Sequence, residues 1–516
     1  MTDVSTAPPE VEEDRAPAVA PPAPPRAGPR RAGALLALVP ALGTLALALY
    51  QSGNRNMWND ELVTWHAARL SFAELRRLIV NIDLYHAFFY VLMHPWLRLA
   101  GDSPTTMRLP AAVAMALACL LIVLIGRRLT DTVTGLTAGL LFMLLPSVSR
   151  YAQEARSYAL VVLGVTLATW LLLRALDRPT GLWWGLYGAT LAVVGWLHFV
   201  SLMVLLGHLL WVFLTARRDD RVWQWIVTVG TAMLAVIPLF VLGSSQATAA
   251  SWIKNDWPAV LKFPRQLFGT MTIAQAFGVL ALVGLLLALR SRWRVALTLT
   301  LWLLVPPLVA YLTGSVLHIF LARYFFFTLP AWCLLAAMGA CQLFRLPARG
   351  RMPATLGLVG GFLAVALLGY TGLPAQREVR TNAADGQPGY AGAFRYIAAH
   401  AQPTDGVAFN DGFDRSGDLA RRVMNYELRD APSRPRDMFM ERTAREQGWL
   451  AAKECPDWSK CLGDVKRVWL VETGSRTDPF GGLPKSRAAL MKDKFTVTKT
   501  TNLERIRVIQ LDRKKP

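Results

Sequence analysis

Charge is scarce in this chain: Asp, Glu, Lys and Arg make up 17% of its 516 residues, against 53% hydrophobic residues. So low a charged fraction excludes an ordinary soluble enzyme and points to a polytopic α-helical membrane protein. Cysteine is also sparse. Of the five present, Cys119, Cys333 and Cys341 fall inside apolar runs and read as small buried hydrophobes. Cys455 and Cys461, in CPDWSKC, are left as a candidate disulfide, which requires an oxidising, extracytoplasmic compartment. No His or further Cys lies near them in sequence, which argues against zinc. A Walker A sequence is absent, as is a dinucleotide fingerprint in a βαβ context, so energy for any chemistry has to arrive in a substrate. The formal charge of +20 forms no single basic face. Its arginines fall in short clusters between apolar runs, which argues against a nucleic-acid partner.

What the chain does have is apolar runs. A bilayer core of about 30 Å needs roughly 20 apolar residues per helix. About eleven such runs recur, near 34–50, 108–126, 132–149, 157–175, 182–199, 200–216, 222–243, 272–289, 295–316, 323–344 and 353–372. Residues 1–33, rich in Pro and Ala and without periodicity, predict a disordered tail. The basic loops GRRLTD, RALDRPT, ARRDDR, RSRWR and RLPARG alternate with less basic ones, which places them and the N-terminus in the cytoplasm of a plasma-membrane protein. After an odd number of spans, residues 373–516 are extracytoplasmic. The stretch 84–100 is apolar, but His86, His94 and Pro95 argue against a span, so 51–107 becomes a long first external loop. Within it, SFAELRRLIVNI predicts an interfacial helix opened by a capping box of Ser71 and Glu74. The tail reads as a small α/β domain, with a helix at YAGAFRYIAAH and strands at GVAF, VKRVWLVE, KFTVTKT and RIRVIQL.

The polar residues that membrane orientation does not require gather at the external ends of these runs. WNDELVTW sets Asp60 and Glu61 just past the first run. Acids on a loop are usually solvated, but others converge on the same side. Asp83 and His86 lie in NIDLYHAFFY; Arg150, Gln153, Glu154, Arg156 and Tyr158 crowd the short turn SRYAQEARSYAL; Arg323 and Tyr324 end another run; and His198 closes a fifth. ASWIKNDW interleaves Trp252 with Lys254, a composition suited to a membrane-level loop near a lipid phosphate. A base and guanidinium groups on one face match group transfer from a lipid-phosphate carrier, in which the base takes a hydroxyl proton and the cations neutralise the leaving phosphate. A transporter of lipid-linked sugars without catalysis is the alternative, although no internal repeat is evident.

These motifs resemble the GT-C superfamily of membrane glycosyltransferases, in the branch of the protein O-mannosyltransferases and the lipid A aminoarabinose transferases (glycosyltransferase family 39). The resemblance rests on WNDELVTW, DLYHAFFYVLMHPWLRLAGDSPTTMRLPAA, YAQEARSYAL and ARYFFFTLP, and makes 34–372 the catalytic membrane domain. It implies an inverting enzyme that takes a sugar, such as mannose or arabinofuranose, from a polyprenyl-phosphate donor to a glycan, lipid or protein hydroxyl. It also implies that Asp60 is the catalytic base with Glu61 beside it, and that Asp83, His86, Gln153, Arg156, Tyr158, Lys254, Arg323 and Tyr324 serve the donor. The family often has His-Pro-Pro where Ala87 and Phe88 follow His86 here. No cofactor is required; a divalent cation, with Asp83 and His198 as candidate ligands, fits the carboxylate and imidazole chemistry.

Overall fold

The apolar runs fold as helices. The computed structural model describes residues 35–216, 220–246, 251–344, 354–410, 417–432, 434–474 and 477–515, so the tail expected over 1–33 lies outside the described residues. Among these, eight helices are long and apolar enough to cross a membrane: Pro104–Leu129, Tyr158–Asp177, Phe199–Ala216, Arg221–Gln246, Met271–Ser291, Trp293–Leu312, Ala322–Leu343 and Leu356–Glu378. A ninth crossing results if Thr132–Leu144 and Pro146–Ala152, bent by 64°, form one broken span. The two remaining runs are the apolar helices Leu38–Leu49 and Gly181–Leu197, of 12 and 17 residues. At about 1.5 Å per residue they are shorter than the roughly 30 Å core.

The bend has a local cause. Pro146 donates no N–H and pushes Leu145 out of the helical region, to ψ 123°, so the chain turns and starts a new helix. The turn is braced by Gly269, whose φ of +98° suits glycine alone and where a Cβ would lie 2.8 Å from that of Pro146. Elsewhere the bundle is drawn tight by small residues. A Cβ on Gly284 or Gly339 would meet the backbone of the facing helix at 2.1 and 2.0 Å, so Met271–Ser291 and Leu329–Leu343 pack backbone to backbone. The span Ala322–Leu343 has 89% of its apolar window buried and runs through the middle of the bundle.

The stretch 84–100 is not among the candidate spans. It forms the 14-residue helix Ala87–Ala100, following Asn59–Arg69, Phe72–Leu78 and a short π-helical turn over Ile79–Asp83. Ser71 and Glu74 cap Phe72–Leu78 reciprocally, with Leu75 and Leu78 buried and Arg76 and Arg77 exposed.

The C-terminal segment folds as a small α/β domain. Among the described residues its strands are β1 Gly406–Asn410, β2 Arg436–Asp437, β3 Met440–Arg442, β4 Lys453–Glu454, β5 Arg467–Thr473, β6 Phe495–Leu503 and β7 Ile506–Arg513. Five of them form a mixed sheet, ordered β2-β1-β5-β7-β6, with β1 parallel to β2 and β5, and β7 antiparallel to β5 and β6. Both faces of β5 are buried: Val468 and Leu470 join a cluster with Ala408 and Ile509, while Trp469 and Val471 pack on the other side with Phe394 and Val508. Cys455 and Cys461 are joined by a disulfide. Maleimide is expected to label neither cysteine before reduction and both after. Replacing the pair by serine should lower the stability of the domain by about 2 kcal/mol, read by thermal unfolding of the purified protein.

Candidate active site

The first turn of Asn59–Arg69 carries two carboxylates, both favoured there by the helix dipole, and its surroundings give them different tasks. Glu61 is fully buried and accepts from Arg108 Nε at 2.8 Å and Nη2 at 2.7 Å, from the Ala155 amide at 3.0 Å and from the Trp58 amide at 3.3 Å. Arg108 places its other N–H groups on the carbonyls of Ser52, Arg55 and Asn56. All five of its donors are thereby used. Burial alone would raise the Glu61 carboxyl, but the Arg108 guanidinium holds it down at about 2. Glu61 therefore shapes the loop.

Asp60 faces the other way in chemistry. Its Oδ2 lies 3.6 Å from Arg323 Nη2 and 4.0 Å from Arg156 Nε, and its side chain keeps 18% exposure. Arg156 donates Nη2–H to His86 Nε2 at 2.7 Å. Because arginine has no acceptor, His86 must carry its proton on Nδ1, which reaches Asp83 Oδ1 at 2.6 Å. Tyr90 donates to the second oxygen of Asp83. Burial opposes the charge on Asp83, yet His86 and Arg156 hold its carboxyl below the usual range. A continuous chain thus runs from Asp83 through His86 and Arg156 to Asp60 and Arg323. Arg323 also lies over three rings, Trp58 at 5.6 Å, Trp252 at 5.8 Å and Tyr158 at 6.0 Å. Tyr324 packs against His198 at 4.6 Å and Tyr158 at 6.3 Å. Buried and without a hydrogen-bond partner are Arg156 Nε, Arg323 Nε, Trp58 Nε1 and His198 Nδ1.

Two of the expected residues stand apart. The Gln153 amide donates to the carbonyls of Ala48 and Tyr50, tying Leu38–Leu49 to the turn. Lys254 is exposed, two residues from the Trp252 that covers Arg323. Of the two candidate cation ligands, Asp83 has both oxygens engaged by His86 and Tyr90, whereas His198 Nδ1 is buried without a hydrogen-bond partner; among the described residues no group of three or more His, Cys, Asp or Glu could hold an ion.

Several residues that sequence reasoning missed complete the site. Asp385, from the start of the C-terminal segment, has 4% side-chain exposure and pairs with Arg150 and, at 3.5 Å, with Arg55. Arg150 in turn lies over the Trp58 ring at 5.6 Å. The Asn56 amide donates to Asn382 at 2.9 Å. The segment 382–385 thus braces the loop that carries Asp60. No local signal could have marked Asp385, whereas Arg108, inside TTMRLPAA, was an unexplained charge at the mouth of an apolar run.

Glu154 is the buried acid that this network leaves least satisfied. Its Oε2 accepts from Arg150 at 2.7 Å, while Oε1 is buried without a partner. Burial pushes it up to about 7 against the pull of Arg150, and Glu61 adds to the rise. A raised folded-state value means stability that is present below about 4.5, the unfolded value, and lost as pH rises through about 7. Glu154→Gln is expected to remove that loss, flattening the thermal stability profile between pH 5 and 8 by on the order of 3 kcal/mol. An unchanged profile would remove Glu154 as its source.

With this geometry in view, the relatives can be compared. Residues 87–242 match the family model of the dolichyl-phosphate-mannose-protein mannosyltransferases. No curated protein matches the chain in sequence. Among solved structures, ArnT from Cupriavidus metallidurans in the apo state is 14% identical with a TM-score of 0.54, over 93% of this chain and 98% of that one. The same protein bound to undecaprenyl phosphate is 13% identical with a TM-score of 0.56, over 92% and 97%. The archaeal oligosaccharyltransferase AglB from Archaeoglobus fulgidus, in complex with an inhibitory peptide and a dolichol-phosphate, is 14% identical with a TM-score of 0.50, over 86% and 69%. The chain therefore shares the fold of ArnT and AglB, and its segment 87–242 matches the pattern of the dolichyl-phosphate-mannose-protein mannosyltransferases.

Proposed function

We propose that the chain is an inverting glycosyltransferase that moves a sugar from a polyprenyl-phosphate donor to an acceptor hydroxyl. The observation that carries this is one spot where the Asp60 carboxylate meets two arginines whose Nε donors are buried and make no hydrogen bond. Leaving such donors unpaired is costly for a fold alone, and phosphate oxygens satisfy them bidentately. The lipid phosphates bound by ArnT and AglB, on the same fold, support that choice of donor.

In the mechanism, Asp60 takes the proton of the acceptor hydroxyl. The freed electron pair of that oxygen attacks the anomeric carbon, the bond from that carbon to the phosphate oxygen breaks, and its pair leaves on the lipid phosphate. A single in-line displacement inverts the centre. Arg156 and Arg323 neutralise the charge that develops on the phosphate. Asp83 and His86 position Arg156; Trp58, Tyr158 and Tyr324 supply ring surface for the sugar. Glu61 acts through the loop rather than on substrate. The site belongs on the extracytoplasmic face of the plasma membrane, with mannose or arabinofuranose as donor sugar and cell-wall glycan, lipid or protein as acceptor.

The test is the purified protein with a radiolabelled polyprenyl-phosphate sugar. Release of label from the carrier that depends on an acceptor supports the transferase. Labelled lipid that crosses a vesicle membrane intact, with no release, would establish the transporter instead.

A further inference from the structure

A cavity of about 380 Å³ lies between Asn59–Arg69 and the C-terminal domain, within the size range of small-ligand sites. Its lining includes six arginines, among them Arg69, Arg429, Arg434 and Arg445, against two carboxylates, Asp418 and Asp437. Neighbouring acids pair with most of them: Arg421 is held by Asp437 at 2.7 Å, Glu454 at 3.1 Å and Asp418 at 3.8 Å. Arg69 and Arg429 share Asp102, at 2.7 and 3.4 Å, and the nearby Asp430 is 86% exposed to screening water. Arg445 pairs with Glu74 at 2.8 Å. Among the described residues, Arg434 meets only a neutral acceptor, Asn425 Oδ1, at 3.0 Å.

A second observation points to a ligand. His66 lines the same cavity and its Nε2 is buried with no hydrogen-bond partner. Burial, and then the charges of Arg422 and Arg445, push its pKa down to about 4. The guanidinium groups that add to the effect of burial on this ring would attract an anion.

The cavity also borders the helix that carries Asp60. His66 and Asp60 stand on it six residues apart, roughly 9 Å along its axis and about 120° around it, so a molecule that bridges them has to curve around the helix. Arg422, from the cavity wall, donates to Asn59, the neighbour of Asp60.

We propose that this cavity is the acceptor site and takes the acidic group, phosphate or carboxylate, of an anionic glycan, whose hydroxyl is thereby presented to Asp60; this rests on the glycosyltransferase reading above. The C-terminal domain supplies most of the guanidinium groups, so it selects the acceptor while the membrane part holds the donor. An anionic phospholipid headgroup shares the chemistry but would have no hydroxyl to present at that distance.

The experiment uses the full chain in phosphatidylcholine nanodiscs, loaded with undecaprenyl phosphate so that the donor site is filled. Mannose 6-phosphate and mannose are titrated as probes. The phosphate is expected to bind at least about tenfold more tightly, and less so as salt rises. Arg434→Glu, at an exposed position, should abolish that preference, and Arg69→Ala should weaken it. Equal binding of the two sugars, or a preference unaffected by both variants, overturns the proposal. So does competitive loss of the probe when phosphatidylglycerol replaces part of the phosphatidylcholine, since the cavity would then belong to lipid. The donor reading is checked apart, by undecaprenyl phosphate binding to Arg323→Ala: undiminished binding there sinks the transferase assignment and leaves the cavity result standing.

Discussion

Asp60→Asn is expected to lower kcat by roughly 10²–10⁴-fold, the range that removal of a positioned base produces, with the protein still folded. Asparagine keeps the volume and one acceptor oxygen beside Arg156 and Arg323, but it cannot take a proton. The donor should still bind, since the guanidinium groups that face its phosphate are untouched. Indeed, with a carboxylate removed from 3.6 and 4.0 Å of those cations, undecaprenyl phosphate should bind at least as tightly as in the parent. Full turnover in this variant would remove Asp60 as the base, and loss of donor binding along with activity would point to a structural role instead.

The second large effect lies one residue on. Arg108→Ala is expected to cost about 3–5 kcal/mol, because it strands a fully buried Glu61 carboxylate and three backbone carbonyls at once. Thermal unfolding of the purified protein reads this directly. Activity should fall with it even though neither residue touches substrate, because the displaced loop carries Asp60. The double replacement Glu61→Gln with Arg108→Met, which leaves no buried charge behind, should be milder than Arg108→Ala alone. The sign of the pH dependence follows from the depressed carboxyl. Its stabilisation is present above about 4.5 and is lost as pH falls toward about 2, which is opposite to the trend for Glu154. A stable, active Arg108→Ala protein would show that the pair is dispensable.

These cases also mark where the sequence stops being legible. Long apolar runs, a capping box at Ser71 and alternating strands are local patterns, and most became the expected elements, although the runs at 34–50 and 182–199 form helices of only 12 and 17 residues. The charged clusters at helix ends were visible as violations of membrane orientation, which is why Asp60, Arg156 and Arg323 could be singled out and were found together. What composition and periodicity do not encode is pairing across the chain. Asp60 and Glu61 look alike as neighbours, and only the Arg108 guanidinium, 47 positions away, separates them. Gln153 looked as polar as Arg156, but two carbonyls of the first helix claim its amide. Lys254 suited a phosphate by charge, and it is the tryptophan two residues earlier that reaches the site.

The bracing of the Asp60 loop by residues 382–385 bears on biosynthesis. Asn56 and Asn382 are 326 positions apart, so at roughly 5–20 residues per second the ribosome needs about 15–65 s to deliver the second after the first. Throughout that interval Arg55 lacks the Asp385 carboxylate that later pairs with it. Bracing of the Asp60 loop thus waits until residue 385 of the 516 has been made.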